Sequence, residues 1–421
     1  MKLDIAIVGY GTAGQAAAVL LQRDGHRVQV FERAPQPGPV GAGFLLQPTG
    51  LQVLWKMGLL GAALAHGAPV RRLFGETPCG RAVMDMRYAG LDARLFGLGM
   101  QRGALFELLD RAWEGRADGL QPGLCIADVE TASGRIRDES GRWHGPFDLV
   151  IAADGSASRL RSVLAREGHA PALDRPYPWG ALWRLLPAGD WPWPDELRQR
   201  YVAARKMIGL LPVGTRPGDA TPQLSFFWSL PASGFDAWRE RGLPAWRDEV
   251  ATIWPQVGAL VADIADDTTL ARASYRDAVL RQWHTGKLVL LGDSAHAMSP
   301  QLGQGVNMAL MDALALRDAL REGDSTGAAL ARYEAARRKH VRIYQFWSRW
   351  LTPLFQSEHD VVARVRDLGM LPAGRMPGGK GHMLRVLSGT QQGWFGKLAL
   401  QPEFITAMES IPAGDHTAPV R

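Results

Sequence analysis

Across 421 residues the chain holds 46% hydrophobic and 21% charged residues at a net charge of +6, enough apolar content for a large globular core. Two cysteines, Cys79 and Cys125, make neither a disulfide framework nor a zinc cluster, so no metal site is expected, and scattered rather than striped arginines argue against nucleic acid. No apolar run approaches the roughly 18 residues that span a bilayer, and the N-terminus enters a strand without a signal-peptide layout, so a cytoplasmic protein is expected.

The first element is the strand LDIAIV, which runs into Gly9-Tyr10-Gly11-Thr12-Ala13-Gly14. An alanine-rich helix follows, and a second strand ends at Glu32, 18 residues beyond Gly14. Each fixed position has a reason. Gly9 permits the tight turn, Gly11 lets a pyrophosphate approach the backbone, and Gly14 lets the helix pack on the sheet. The pyrophosphate then meets the unpaired N–H groups and positive end of the helix. Glu32 can accept from ribose hydroxyls and disfavours a 2′-phosphate, which points to FAD or NAD rather than NADP.

Further on, PFDLVIAA (146–153) reads as a buried strand ending in Asp154-Gly155 and leading past Ser156 to a helix containing Arg161. Such a turn sets polar groups at the C-terminal edge of a sheet, where open α/β folds bind ligands. Between residues 174 and 272 the βαβ rhythm gives way to WGALWRLLPA, QRYVAARKMIGLLPVG and QLSFFWSLPA, expected as strands of a mostly antiparallel sheet. Trp183, Tyr201, Phe226 and Trp228 on these strands are candidates to line a pocket for a planar apolar substrate. Then comes KLVLLGDSAHAMSPQLGQGVNMALMDALAL (287–316): a strand that stops at Gly292-Asp293, a loop from Ser294 to Gln304, and a helix from Gly305. The Asp293 carboxylate can only accept, which suits sugar or ribityl hydroxyls. Gly303 and Gly305 leave the helix entrance bare, so backbone N–H groups can face a flat ring and stabilise negative charge on it.

Residues 332–355 bring Arg332, Arg337, Arg338, Lys339, Arg342 and Arg349 together with Tyr344, Phe346, Trp347, Trp350 and Phe355. A basic aromatic helix of this kind can lie on an anionic membrane. The reading preferred here packs it back on the first domain. PAGRMPGGKG (372–381) is expected as a flexible connection, and the tail after Pro412 as disordered.

The three motifs in this order, GYGTAG with Glu32, AADGSASRLR and LGDSAHAMSPQLGQGVNMALMDA, resemble the FAD-dependent monooxygenases of the para-hydroxybenzoate hydroxylase type. Gly41-Ala42-Gly43 and Arg102 in GMQRGALFELLDRAW fit the same pattern. The resemblance implies an α/β fold: a Rossmann-like FAD-binding domain (1–70, 96–173 and 273–325), a substrate domain built on a mostly antiparallel sheet (71–95 and 174–272), and C-terminal helices and tail (326–421).

It also implies roles for matching residues. Gly9, Gly11, Thr12, Ala13 and Gly14 would carry the FAD pyrophosphate, and Glu32 and Arg33 the adenosine. Gly43, Arg102, Val129, Asp154, Gly155, Arg161 and Asp293 would make further cofactor contacts, with the Asp-Gly motif tied also to reduced nicotinamide. Pro300 would lie beside the isoalloxazine, with Gly303, Gly305, Val306 and Asn307 around its pyrimidine end; Pro300, Gly303 and Gly305 are the catalytic candidates. Gln47 would join Trp183, Tyr201, Phe226 and Trp228 around the substrate. His296 is expected to pack the loop rather than act as a base. The implied activity is hydroxylation or epoxidation of an aromatic or quinone-like molecule, with FAD as cofactor, NADH or NADPH as co-substrate, and O2 delivered through a flavin hydroperoxide. An oxidase or dehydrogenase, a polyprenyl-type reductase, and a non-catalytic dinucleotide binder are the alternatives.

Overall fold

Ile5, Ala6 and Ile7 lose all contact with solvent because Asp4–Val8 sits in the middle of a six-stranded sheet covered on both faces. That is why the strand reads as an unbroken apolar run rather than an alternation. In this computed structural model, which describes residues 2–39, 41–375 and 378–409, the sheet order is His284–Thr285, Leu288–Leu290, Leu149–Ala152, Asp4–Val8, Arg27–Glu32, Leu120–Pro122. Every neighbouring pair is parallel except the first. All three motif-bearing strands are therefore adjacent in one parallel sheet, and their turns open at the same carboxyl edge.

The helix Thr12–Arg23 packs an alanine face against this sheet, with Ala16, Ala17 and Ala18 essentially inaccessible. Small side chains let helix and sheet approach closely. The helix Gly305–Glu322 packs beside it, and the long helix Thr326–Phe355, capped at Ser325, crosses behind.

A seven-stranded sheet forms the second layer, ordered Ala271–Val279, Leu173–Pro187, Asp219–Pro231, Lys206–Arg216, Glu196–Val202, Arg72–Glu76, Ala82–Arg87. It is antiparallel apart from the pair Glu196–Val202 with Arg72–Glu76. The segment read as one strand, QRYVAARKMIGLLPVG, breaks in two at Ala203, whose φ of 48° makes the turn. The helices Phe235–Ile253 and Pro255–Val261 cover the outer face of this sheet, burying Trp238, Trp246 and Trp254 against it.

Between the two layers lies a small antiparallel sheet of Gly43–Leu46, Gly97–Gln101 and Ala68–Val70. Glycine makes this contact possible: a Cβ at Gly99 would sit 1.9 Å from the Pro212 carbonyl oxygen, and one at Gly43 would sit 2.6 Å from the Val213 side chain.

The C-terminal segment departs from expectation. Asp360–Arg375 is helical through Pro372, and a further helix starts at Gly379, so most of the 372–381 stretch is not a loose connection. The tail after Pro412 lies outside the described residues.

Candidate active site

Three turns meet at the carboxyl edge of the parallel sheet. Gly9, at φ 102°, has no room for a side chain, because a Cβ there would lie 2.4 Å from the Ala153 carbonyl oxygen. Gly14 is closer still, with an ideal Cβ 2.0 Å from the oxygen of Gly9. Gly11 differs: nothing lies within 4 Å of its absent Cβ, so space is open in front of the helix N-terminus. Thr12 is half-buried and Ala13 buried, and a Cβ at Gly292 would stand 3.3 Å from that of Ala13. The first and third motifs thus touch.

Glu32 closes the far end of the turn. Its carboxylate accepts from the backbone N–H of Tyr10 at 2.7 Å and of Ala34 at 2.8 Å, and Arg33 beside it is exposed. Val129 is buried in an edge sheet, opposite Ile136.

Arg161 sits between the motif turns with its donors committed to the protein. Its buried guanidinium donates to the carbonyls of Ser294 (2.9 Å), Ser156 (2.8 Å) and Asp293 (3.1 Å) and pairs with Asp174 at 2.9 Å. All its donors serve the protein, so it clamps the second turn to the third. Asp154 has one oxygen accepting the Arg159 N–H at 2.9 Å, while the other, also buried, has no partner; burial raises its carboxyl above the usual range. Gly155 is left-handed at φ 82° with open space around it.

Asp293 and Arg102 face one concavity. Both side chains expose surface, and each feels the other's charge across the trough between them. Burial raises the Asp293 carboxyl, against the pull of His296, Arg102 and Arg161, and burial lowers the Arg102 guanidinium. Among the described residues the Arg102 side chain has no hydrogen bond or ion pair; it lies 5.8 Å from the Phe44 ring, beside Gly41. A guanidinium with none of its five donors taken by the protein can donate to a polar or anionic ligand. The floor is bare: Gly303 (φ 61°) has nothing within 4 Å, Gly305 has only Asp293 Oδ1 at 3.8 Å, and Pro300 opens the turn Pro300–Leu302.

Asn307 and Gln47 hold that floor in place. Asn307 Oδ1 accepts the Gln47 backbone N–H at 2.8 Å, its amide donates to the carbonyls of Leu45 and Gly303 at 3.3 Å, and Gln47 Oε1 accepts the Tyr88 hydroxyl at 2.6 Å. Gln47 is buried, with its amide oxygen committed to Tyr88, so its part here is to hold the floor. Val306 packs partly against the main core.

Under the Gly292 turn lies a charge network that the sequence did not reveal. Asp312, fully buried, accepts from Gly292 N–H (2.9 Å) and His296 Nε2 (2.6 Å) on one oxygen and from Arg337 Nε (2.6 Å) on the other. Burial pushes its carboxyl up, but the charges and hydrogen bonds of His296 and Arg337 outweigh this and hold it well below the carboxylate range. Arg337 also donates to His340 Nδ1 at 2.8 Å, which leaves the His340 Nε2–H to donate to the Gly389 carbonyl at 2.7 Å. Burial and the Arg337 charge push His340 down to about 3. His296 packs as expected, its ring 5.2 Å from Trp283. The one signal for this network was an acid, Asp312, in an otherwise apolar helix stretch.

On the other side of the trough stands an aromatic wall. Trp183 meets Phe227 edge-on at 4.7 Å, and its indole N–H donates to the Tyr275 hydroxyl at 2.9 Å. Burial pushes that phenol up to about 12, against the Trp183 hydrogen bond and the Arg102 charge, which sets Tyr275 on the Arg102 side. Leu354, Phe355 and Met370 pack into the same cluster from the C-terminal segment. Tyr201 is buried deeper, 5.0 Å from Phe355, with its hydroxyl on Gln199. Phe226 and Trp228 point the other way. They pack on Trp246 at 5.9 and 6.0 Å under the outer helices, so their side chains are core rather than pocket. Phe227, between them in sequence, faces the trough instead.

Known proteins share this sequence pattern and this fold. The family described as FAD binding domain matches residues 2–111 and 126–345. Kynurenine 3-monooxygenase of Salinispora arenicola (strain CNS-205) is 30% identical over 391 residues, spanning 86% of this chain and 81% of that protein. FAD-dependent urate hydroxylase of Klebsiella oxytoca is 30% identical over 349 residues, 80% of this chain and 86% of that protein. The crystal structure of a variant of 2-methyl-3-hydroxypyridine-5-carboxylic acid oxygenase superposes with a TM-score of 0.75 at 21% identity, over 94% of this chain and 100% of that one.

Proposed function

This chain belongs to the FAD binding domain family and is an FAD-dependent aromatic monooxygenase; from that premise we propose that it consumes NADH or NADPH to hydroxylate a planar, electron-rich ring held between the aromatic wall and the Pro300–Gly305 floor. When bound, FAD supplies hydride acceptance and activation of O2, the chemistry that protein side chains lack.

The residues of the chain bind, orient and exclude water. Gly9, Gly11, Thr12, Ala13 and Gly14 present the helix N-terminus to the pyrophosphate, and Glu32, with Arg33 and Val129 nearby, takes the adenosine end. Arg102 offers its idle donors to the pyrophosphate or ribityl chain, Asp293 accepts from ribityl hydroxyls, and the free oxygen of Asp154 and the open Gly155 complete that side. Gly303, Gly305 and Val306 would set helix N–H groups toward the flavin ring, where the positive end of the helix would favour negative charge. Gly43, Asn307 and Arg161 hold these groups in place. Trp183, Phe227 and Tyr275 orient the substrate and keep water from the reacting atoms. We also infer that the parallel-sheet and seven-stranded-sheet layers correspond to a cofactor domain and a substrate domain, and that the enzyme works in the cytoplasm.

The observation that carries this reading is the unpaired Arg102 guanidinium facing Asp293 across a trough floored by open glycines. The test is the visible spectrum of purified protein, followed anaerobically with NADH or NADPH and a panel of aromatic acids, phenols and quinolones. Flavin bands that bleach much faster with one panel member are expected. A yellow protein that no nicotinamide reduces would indicate an oxidase or dehydrogenase instead.

A further inference from the structure

Among the described residues seven large hydrophobic side chains are exposed, and six of them, all but Trp143, fall within residues 350–395. They form two outward faces. On the helix Asp360–Arg375, Val361, Val365 and Leu368 follow one another at helical spacing with Arg364 among them. The acids of that helix are occupied, Asp360 by Arg205 and Asp367 by Arg366. The second face joins the long helix to the hairpin of Gln391–Gln392 and Gly396–Lys397. Arg342, Phe346 and Trp350 lie four residues apart on one side of the helix, and Trp394 at the hairpin tip meets Phe346 at 4.7 Å. Phe395, next to it, is 100% exposed. The helix Gly379–Leu387 packs against both the outer helix and the hairpin.

Charge identifies the partner. From residue 335 to 355 the long helix has no acid, and neither has the hairpin segment 391–397. Arg342 and Lys397 are exposed and form no ion pair among the described residues. A two-fold contact with a second copy would set this basic patch against itself, whereas an anionic bilayer offers opposite charge to the arginines and an apolar boundary to the tryptophans and Phe395. The inner side of the same segment is held by the protein, with Leu354, Phe355 and Met370 packed on the aromatic wall, so only the outward side is free to dock.

We propose that the outward faces of residues 342–350, 361–368 and 394–397 dock this protein on an anionic lipid surface, with Trp350, Trp394 and Phe395 at the acyl boundary and Arg342, Arg364 and Lys397 on the headgroups. The docking is peripheral, since no helix of the described residues is long and apolar enough to cross a membrane. It stands independently of the catalytic reading, because binding is measured without turnover.

The test is co-sedimentation of the purified full-length protein with vesicles of phosphatidylcholine, with and without a quarter of phosphatidylglycerol, at about 0.1 M salt. Retention on the anionic vesicles only is expected. It should weaken about tenfold in the Trp394→Ser/Phe395→Ser double variant and roughly fivefold for each of Arg342→Gln and Lys397→Gln. Val365→Ser provides an independent surface change should the hairpin variant fold poorly. Retention on neither vesicle, or equal retention of wild type and all variants, would overturn the proposal. So would a wild-type dimer in sedimentation velocity that the double variant dissociates, which would assign the face to self-association.

Discussion

Replacing Asp312 by asparagine should destabilise the protein far more than the loss of one charge on a surface would. Both carboxylate oxygens face donors: Gly292 N–H and His296 Nε2 on one, Arg337 Nε on the other. An amide has only one oxygen, so either flip sets its NH2 against a donor that cannot turn away. His296 could exchange tautomers, but the backbone N–H of Gly292 and the Arg337 guanidinium cannot. The variant also leaves Arg337, nearly inaccessible, without its counter-ion, and breaking a buried pair in this way costs about 3–5 kcal/mol. With an unfolding entropy of about 2.1 cal/mol/K per residue, a chain of 421 residues gives about 0.9 kcal/mol/K, so Tm should fall by about 3–6 °C. Differential scanning calorimetry of the apoprotein measures this without reference to catalysis. Asp312→Asn melting within about 1 °C of wild type would refute the account of the network. A double variant, Asp312→Leu/Arg337→Met, should recover part of the loss, because it removes both charges together.

The remaining predictions test other parts of the structure. His340 sits near 3 in the folded chain against an ordinary value of 6.5, so the unfolded chain binds the extra proton and stability falls as pH drops from about 6.5 toward 3, by about 1.4 kcal/mol per unit. His340→Gln keeps an acceptor for Arg337 and a donor for Gly389, so it should flatten the urea midpoint across that window; an unchanged acid limb would assign it to other groups. Gly14→Ala should abolish soluble folding or cofactor binding, since its Cβ would collide with the Gly9 oxygen, whereas Gly11→Ala should fold like wild type and lose FAD affinity, read by calorimetric titration of apoprotein. Arg102→Met should weaken FAD binding about 10–100-fold, the worth of a charge-assisted hydrogen bond, and an unchanged Kd would remove Arg102 from the cofactor. Trp228→Ala should cost about 3–5 kcal/mol of stability, seen as a lower urea midpoint, with little change in KM, while Trp183→Ala should raise KM.

Local chemistry made part of this molecule readable in advance. A glycine that must let two backbones touch, an acid at the end of a strand, and an apolar run between turns each depend on near neighbours in sequence. For that reason the strand–turn–helix unit at residues 4–32 and the turns at Asp154 and Asp293 fell where expected. The tertiary structure decided what depends on distant partners. Arg161 donates to carbonyls more than 130 residues away, and Gln47 meets Asn307 and Tyr88. Asp312, Arg337 and His340 carried no common pattern because two helices bring them together only on packing. The choice between Phe226 and Phe227 was beyond the sequence for a different reason. The seven-stranded sheet is apolar on both faces, so alternation marks two sides without saying which one meets the cofactor layer, and a shift of one residue exchanges core for pocket.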